Sequence, residues 1–563
     1  TQVGSLTVTQ LSGLTTTAFT ALTTTQIGAL STTQIKGLSS TEMQGITTTQ
    51  VGALSTVQIG ALTGTQLGYM STTSFANLST TQISGFTTTQ LQGLSTSVMA
   101  AFSTTQMATL SSVQIGALVV TQLNALSTAV IASLTTVQIG NLTTTQVKGL
   151  STTAMGALST TQIGAMTTTQ IGALATTQLN ALATTTLANL STTQVSSMST
   201  TQVKGLATTS VSAFTTLQIG AMTTTQISAF ATTQLNALAT ATVASLTTTQ
   251  IGNLTTTQVK GLSTTFVSVL STTQIGAITT TQLKSLSTSD LRQLTTTQIG
   301  AMSTVQIGSL ATTQLNALTT TTMANLSTAQ VSGLTTTQVK GLATTSLSAF
   351  TTTQIGAMTT TQISILGATQ LNALATATVA SLTTTQVGNL TTTQVKGLST
   401  TFAGALTTLQ VGALTTTSIQ ALATTQLNAL TTTAVTALST TQVSSLTVTQ
   451  VKGLSTTAVA VLTTTQIGAL TTTQVTSLSL TDITALTTTQ VGALSTVQIG
   501  VLTATQLNAL DTTDIAVLST TQIGGLKATQ IDGLSTTFIS AFSTLQVGAL
   551  TTTSIQALAT TQL

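Results

Sequence analysis

The sequence predicts an all-α solenoid built of short capped helices, one to every eight residues. Three observations lead there: an octad frame that never slips, two large apolar residues per octad at a spacing that no continuous helix or strand can use, and a helix-start signature at the head of each octad. A parallel β-solenoid stays open as the alternative.

The frame comes first, because internal repetition decides how everything else is read. Let Thr15 open an octad and Leu22 close it. The closing apolar residue then falls at Leu6, Leu22, Ile46, Met70, Phe102, Leu254, Met358 and Leu510, always with the same remainder on division by eight. The 563 residues hold about 70 such units, so residues 1–563 are expected to form a single continuous solenoid. The chain has no starting Met and stops inside an octad at Thr561-Gln562-Leu563, which reads as an internal segment of a longer protein.

The apolar spacing comes next. Position five is Ile, Val, Leu, Met or Phe and position eight is nearly always Leu, Met or Phe, so the spacings alternate three and five. An α-helix of 3.6 residues per turn would wind this stripe around the rod, and a strand would throw successive apolar residues to opposite faces. The chain must therefore bend once per octad.

Positions one to four say what the bend is. Ser-Thr-Thr-Gln and Thr-Thr-Thr-Gln match the capping box, in which a hydroxyl takes the amide three residues on and Gln reaches back to the cap amide. The rare charges agree. Glu42, Asp290, Asp482 and Asp514 stand at position four and Asp511 at position one. Lys36, Lys148, Lys204, Lys260, Lys284, Lys340, Lys396, Lys452 and Arg292 stand at position six. Acids early and cations late suit the helix dipole. Such helices cannot stand alone, because Thr, β-branched residues and Gly are poor helix formers. Stacked neighbours must cover Ile and Leu, with small residues at position seven allowing close approach. In the β alternative the Thr triplets are strands and Gly makes the corners.

A longer order overlies the octad. Gln-Val-Lys-Gly-Leu recurs with Lys148, Lys204, Lys260, Lys340, Lys396 and Lys452 at intervals of 56, 56, 80, 56 and 56. Gln-Leu-Asn-Ala-Leu places Asn124, Asn180, Asn236, Asn316, Asn372, Asn428 and Asn508 on the same pattern of 56 and 80. This reads as duplication of a seven-octad block with three-octad insertions, which leaves the octad as the physical unit.

Composition excludes most chemistry. With no His or Cys there is no imidazole base, thiolate or ordinary zinc cage, so no catalytic, cofactor-binding or metal-binding residue is assigned and no enzyme is expected. Net charge is +4 over 563 residues with aromatics at 2%, so nucleic-acid binding is not expected. No apolar run approaches the ~18 residues of a membrane span. Six acids in total cannot supply calcium-binding nonapeptides, and no Gly-rich loop precedes the lysines. Asp511 and Asp514 read as cap and third helical residue. Asn-Leu-Ser/Thr at Asn77, Asn141, Asn189, Asn253, Asn325 and Asn389 is a by-product of the frame. Tyr69, Phe86 and Phe102 read as core variants.

The octad Leu-Ser-Thr-Thr-Gln-Ile-Lys-Gly-Leu at Leu30–Leu38 resembles the Thr-rich repeats of large bacterial cell-surface and adhesin-type proteins. The resemblance implies export and a structural or adhesive role outside the cell, and it brings no catalytic residues and no cofactor. The expected function is thus an extracellular rod or filament, either a self-assembling fibre or an adhesin stalk. Its expected partner is itself, as homopolymer or lateral bundle, with cell-surface attachment through regions outside this chain. Two other readings stand beside it. Stacked Thr pairs on a β-solenoid face would bind ice, and a solenoid with a patch of distinctive exposed residues would be a protein-binding scaffold.

Overall fold

A computed structural model describes residues 2–563. Among them are 69 α-helices of four to six residues, preceded by a single turn of 3₁₀ helix at Gln2–Ser5, and no strand. The all-α solenoid is what the chain adopts. The β alternative fails because each Thr triplet is used as a cap followed by the first helical turn.

The octad Thr23–Leu30 shows how the sequence does this. Thr23 holds φ −70° and ψ 160°, its hydroxyl accepts the Gln26 amide, and the Gln26 side chain accepts the Thr23 amide. The helix Thr24–Gly28 follows, and Ala29 closes it in right-handed conformation. Two extended residues then redirect the chain: Leu174, for example, takes φ −61° and ψ 139° and Ala175 takes φ −72° and ψ 153°. No described residue has positive φ, so the bend is made by positions eight and one in ordinary extended backbone. Where the cap is Ala175 the hydroxyl half of the box is missing, and the Gln178 carbonyl on the Ala175 amide remains.

Positions five and eight form the core. Ile219 and Val203 have no exposed surface and Leu174 has 3%. Position four is buried with them: Gln250 is 2% exposed. A buried primary amide must find partners for both ends, and the partner of its nitrogen lies in the next layer of the stack.

The chain divides into two units, one running to Leu286 and the other Ser287–Leu563. Within each unit a helix packs on the one three octads later, as Thr24–Gly28 does on Thr48–Ala53. Cross-layer hydrogen bonds centre on a separation of 28 residues, as from Gln50 to the Leu22 carbonyl. A layer is therefore about three and a half octads, consistent with these bond separations and with solenoid stacking. At 28 residues a layer is half an octad longer than the three-octad step that pairs the helices, and two layers, or seven octads, bring octad and layer back into step. The seven-octad recurrence thus has a physical meaning that duplication alone does not give it. A ten-octad step falls half an octad short of three layers.

Candidate functional surface and the inter-layer clamp

From Gln34 onward a Gln at position four ties three places together. In Gln250 the side-chain oxygen accepts the Thr247 amide at 2.9 Å, inside its own octad. The nitrogen donates to the Ile219 carbonyl at 2.9 Å and the Met222 carbonyl at 2.8 Å, in the layer before. The same set recurs in both units, for instance at Gln146 and Gln474. The capping box thus gives only half of what this residue does; the other half hydrogen-bonds the carbonyl end of a helix one layer away. The Ile219 carbonyl already accepts the Met222 amide at 3.1 Å; the Met222 carbonyl, in the linker, takes no amide from its own helix, so the Gln satisfies a group that burial would otherwise leave unpaired.

Where Gln is missing, Ser74 donates to the Ile46 carbonyl at 2.6 Å. Glu42 cannot donate in this way, and its Oε1 is buried with no hydrogen-bond partner. Seven other octads without Gln are served from outside. Asn180 donates to the Gly205 carbonyl at 3.0 Å and accepts the Ala207 amide at 2.8 Å. That amide opens the octad in which Ser210 stands in place of Gln. The arrangement repeats for Asn124, Asn236, Asn316, Asn372, Asn428 and Asn508, which accept the amides of Ser151, Ser263, Ala343, Ser399, Ser455 and Ser535. Each of those octads has Ala, Ser or Phe at position four.

Glycine makes the approach possible. A Cβ on Gly149 would stand 2.6 Å from Val120 Cγ1, and one on Gly205 would stand 2.5 Å from Thr176 Cγ2. The phrases Gln-Leu-Asn-Ala-Leu and Gln-Val-Lys-Gly-Leu are therefore two halves of one contact, the first lying under the second. Both phrases stand out in the sequence, and their pairing does not. The signal that joins them is a constant offset of three octads in six of the seven cases, together with the Gln-less octad that follows each second phrase.

The surface carries little charge. The lysines at position six are exposed. Lys527 at position one and Asp532 at position six reverse the usual polarity, and both are exposed. Asp511 and Asp514 do form a cap and third helical residue: Asp511 accepts the Asp514 amide at 2.8 Å and the Thr513 hydroxyl at 2.6 Å. The Thr513 bond leads in holding the exposed Asp511 carboxyl below its usual value. Burial, then the Asp511 charge, raises that of Asp514. Phe86 and Phe102 are core residues, and Phe75 meets Phe102 edge-on at 4.9 Å between ring centres. Tyr69 is not: at position seven it is 43% exposed, because that position carries small residues to let helices approach and has no room beneath it for a ring. The asparagines of the glycosylation-like triplets donate to their own helix, Asn189 to the Thr185 carbonyl at 2.7 Å.

Among the described residues no group of three or more acids, His or Cys could hold a metal ion, and no helix is long and apolar enough to cross a membrane.

A family model described as the ALTTAQ repeat matches residues 120–152, 148–176, 227–264, 284–320, 480–512 and 507–544, about a third of the chain. In those segments the chain is similar to that repeat. No curated protein matches it.

Proposed function

We propose that this Thr-rich octapeptide-repeat protein, ALTTAQ-like in six segments and solenoid-like in fold, is a structural element acting outside the cell, as the stalk of a large adhesin or as a filament, and that it carries out no catalysis. The observation that carries this reading is the inter-layer clamp. In about two thirds of the octads a Gln binds the layer before it through the same kind of carbonyl partners in both units, so layers can be added without altering the unit. Repetition of this kind provides length, and a spacer or fibre needs length. The sparse surface charge supports self-association, because little Coulomb repulsion keeps copies apart.

Electron microscopy of the purified chain tests the proposal. Slender particles that shorten in proportion when seven-octad blocks are deleted are expected; dispersed compact globules would overturn it. Protease shaving of intact producing cells tests location, with release of octad peptides expected and full protection fatal to the extracellular reading.

A further inference from the structure

Position three is Thr in most octads and points to solvent. Eight octads carry a large apolar residue there instead: Val57, Val113, Val137, Leu217, Val305, Leu409, Val497 and Leu545, between 63% and 75% exposed. All eight have glycine at position six: Gly60, Gly116, Gly140, Gly220, Gly308, Gly412, Gly500 and Gly548. Positions three and six are neighbours on a helix surface. Gly60, Gly412 and Gly548 are exposed, Gly116, Gly140, Gly220 and Gly308 half-buried and Gly500 buried, so seven of these octads set an uncovered apolar knob beside backbone that solvent reaches. Over Gly60, Gly220 and Gly548 an added Cβ would meet nothing within 4 Å.

The knobs are not scattered. With a layer of 28 residues, the separation that joins Gln50 to Leu22, Lys36, Lys148, Lys204 and Lys260 fall on one line along the first unit, and Lys340, Lys396 and Lys452 on one line along the second. Measured back from these lines, Val57, Val113 and Val305 lie a quarter of a layer behind and Val137 and Val497 about two fifths. Leu217 and Leu409 lie about half a layer behind, and Leu545 about two thirds. The knobs thus keep at least a quarter of a layer from those lysines in both units. Of the ten cations Lys527 enters that side, Arg292 stands at its border and Lys284 lies about a tenth of a layer outside it.

We infer that within each unit this apolar, nearly uncharged side is a pairing face for a second copy of the same chain, each copy seating its position-three knobs against the partner's position-six glycines. Two features select that occupant. Knob and hollow share one face, so the surface is self-complementary, as a two-fold contact requires. A single knob buries too little to hold a partner, and several can be engaged at once only by a molecule with the same layer spacing. A second copy has it. The inference rests on the structural reading above and gives that reading its lateral contact.

Analytical ultracentrifugation of the full chain tests it. The wild type is expected to pair, and the variant with Val57, Val113, Val137 and Leu217 all replaced by Thr is expected to pair at least about tenfold more weakly, the scale set by losing even one buried Leu. Thr is the usual residue at this position, so the frame tolerates the change. A second variant, Gly60→Ala with Gly220→Ala, fills the hollows without an internal clash. It is expected to raise the thermal midpoint, because Ala is the better helix former, while weakening pairing. Loss of fold could not produce both effects. A wild type that stays monomeric at every concentration, or variants that pair as well as it does, would overturn the inference. Slender but unpaired particles in the microscope would leave the structural reading standing; compact globules would remove that reading as well.

Discussion

Gln at position four is the residue on which stability turns. Replacing Gln250 by Leu keeps the bulk and removes every hydrogen bond of the side chain, leaving the Thr247 amide and the Met222 carbonyl without this partner and the Ile219 carbonyl with the Met222 amide. Buried groups left unpaired cost roughly 1–3 kcal/mol each, so Gln250→Leu is expected to lower local stability by about 3 kcal/mol, read as faster amide exchange over residues 219–254. The Asp511–Asp514 pair gives a pH signature of mixed sign. Asp511 has a folded value below the ordinary one, so its contribution is present above about 3.8 and lost as pH falls through the lowered value. Asp514 is raised, so its contribution is present below about 3.8 and lost as pH rises through the raised value. Asp514→Gln removes the second effect and supplies a donor toward Leu486, one layer back. It is expected to slow exchange in Thr512–Ala516 at neutral pH, while Asp511→Asn is expected to lessen acid sensitivity there.

At the scale of the helix, the asparagine arm and the missing Gln form a single exchangeable device. Asn180→Ala deprives the Ala207 amide and the Gly205 carbonyl of their partner and is expected to cost about 1–3 kcal/mol locally. In a Ser210→Gln background the same substitution is expected to cost much less, because the introduced glutamine caps its own octad. A double-mutant cycle by hydrogen exchange measures that coupling. Much of this element could be read from the residues alone. Ser-Thr-Thr-Gln named the cap, Ile and Leu at positions five and eight named the core, and their odd spacings demanded the bend. The nitrogen end of Gln could not be read. Its partners lie a full layer away, as Met222 and Ile219 do from Gln250, and no local pattern states how long a layer is. The burial of Gln and the exposure of Tyr69 follow from that layer geometry and were hidden for the same reason.

At the scale of the molecule, two rulers run along the chain together. The octad fixes which side chains face inward, and the layer of about 28 residues fixes which octads touch. Deleting residues 151–206 removes seven octads and brings Ala207 to the place of Ser151, so Asn124 finds the amide of another Gln-less octad. That variant is expected to melt within a few degrees of the parent by calorimetry. Deleting residues 191–198 keeps the octad frame and moves Gly205 and Ala207 one octad nearer Asn180, so the arm loses both partners. Its amides around 205–210 are expected to exchange faster.

The asparagine arm reaches past this chain to the gene behind it. Unequal crossing-over between near-identical segments lengthens or shortens such a gene readily, yet an exchange that falls between an arm and its partners keeps that contact only when it spans a whole step of seven octads or, as from Asn236 to Asn316, of ten. Exchanges of single octads within that span preserve the core and strand an arm, so inherited length variants of this protein should differ mainly by the larger steps.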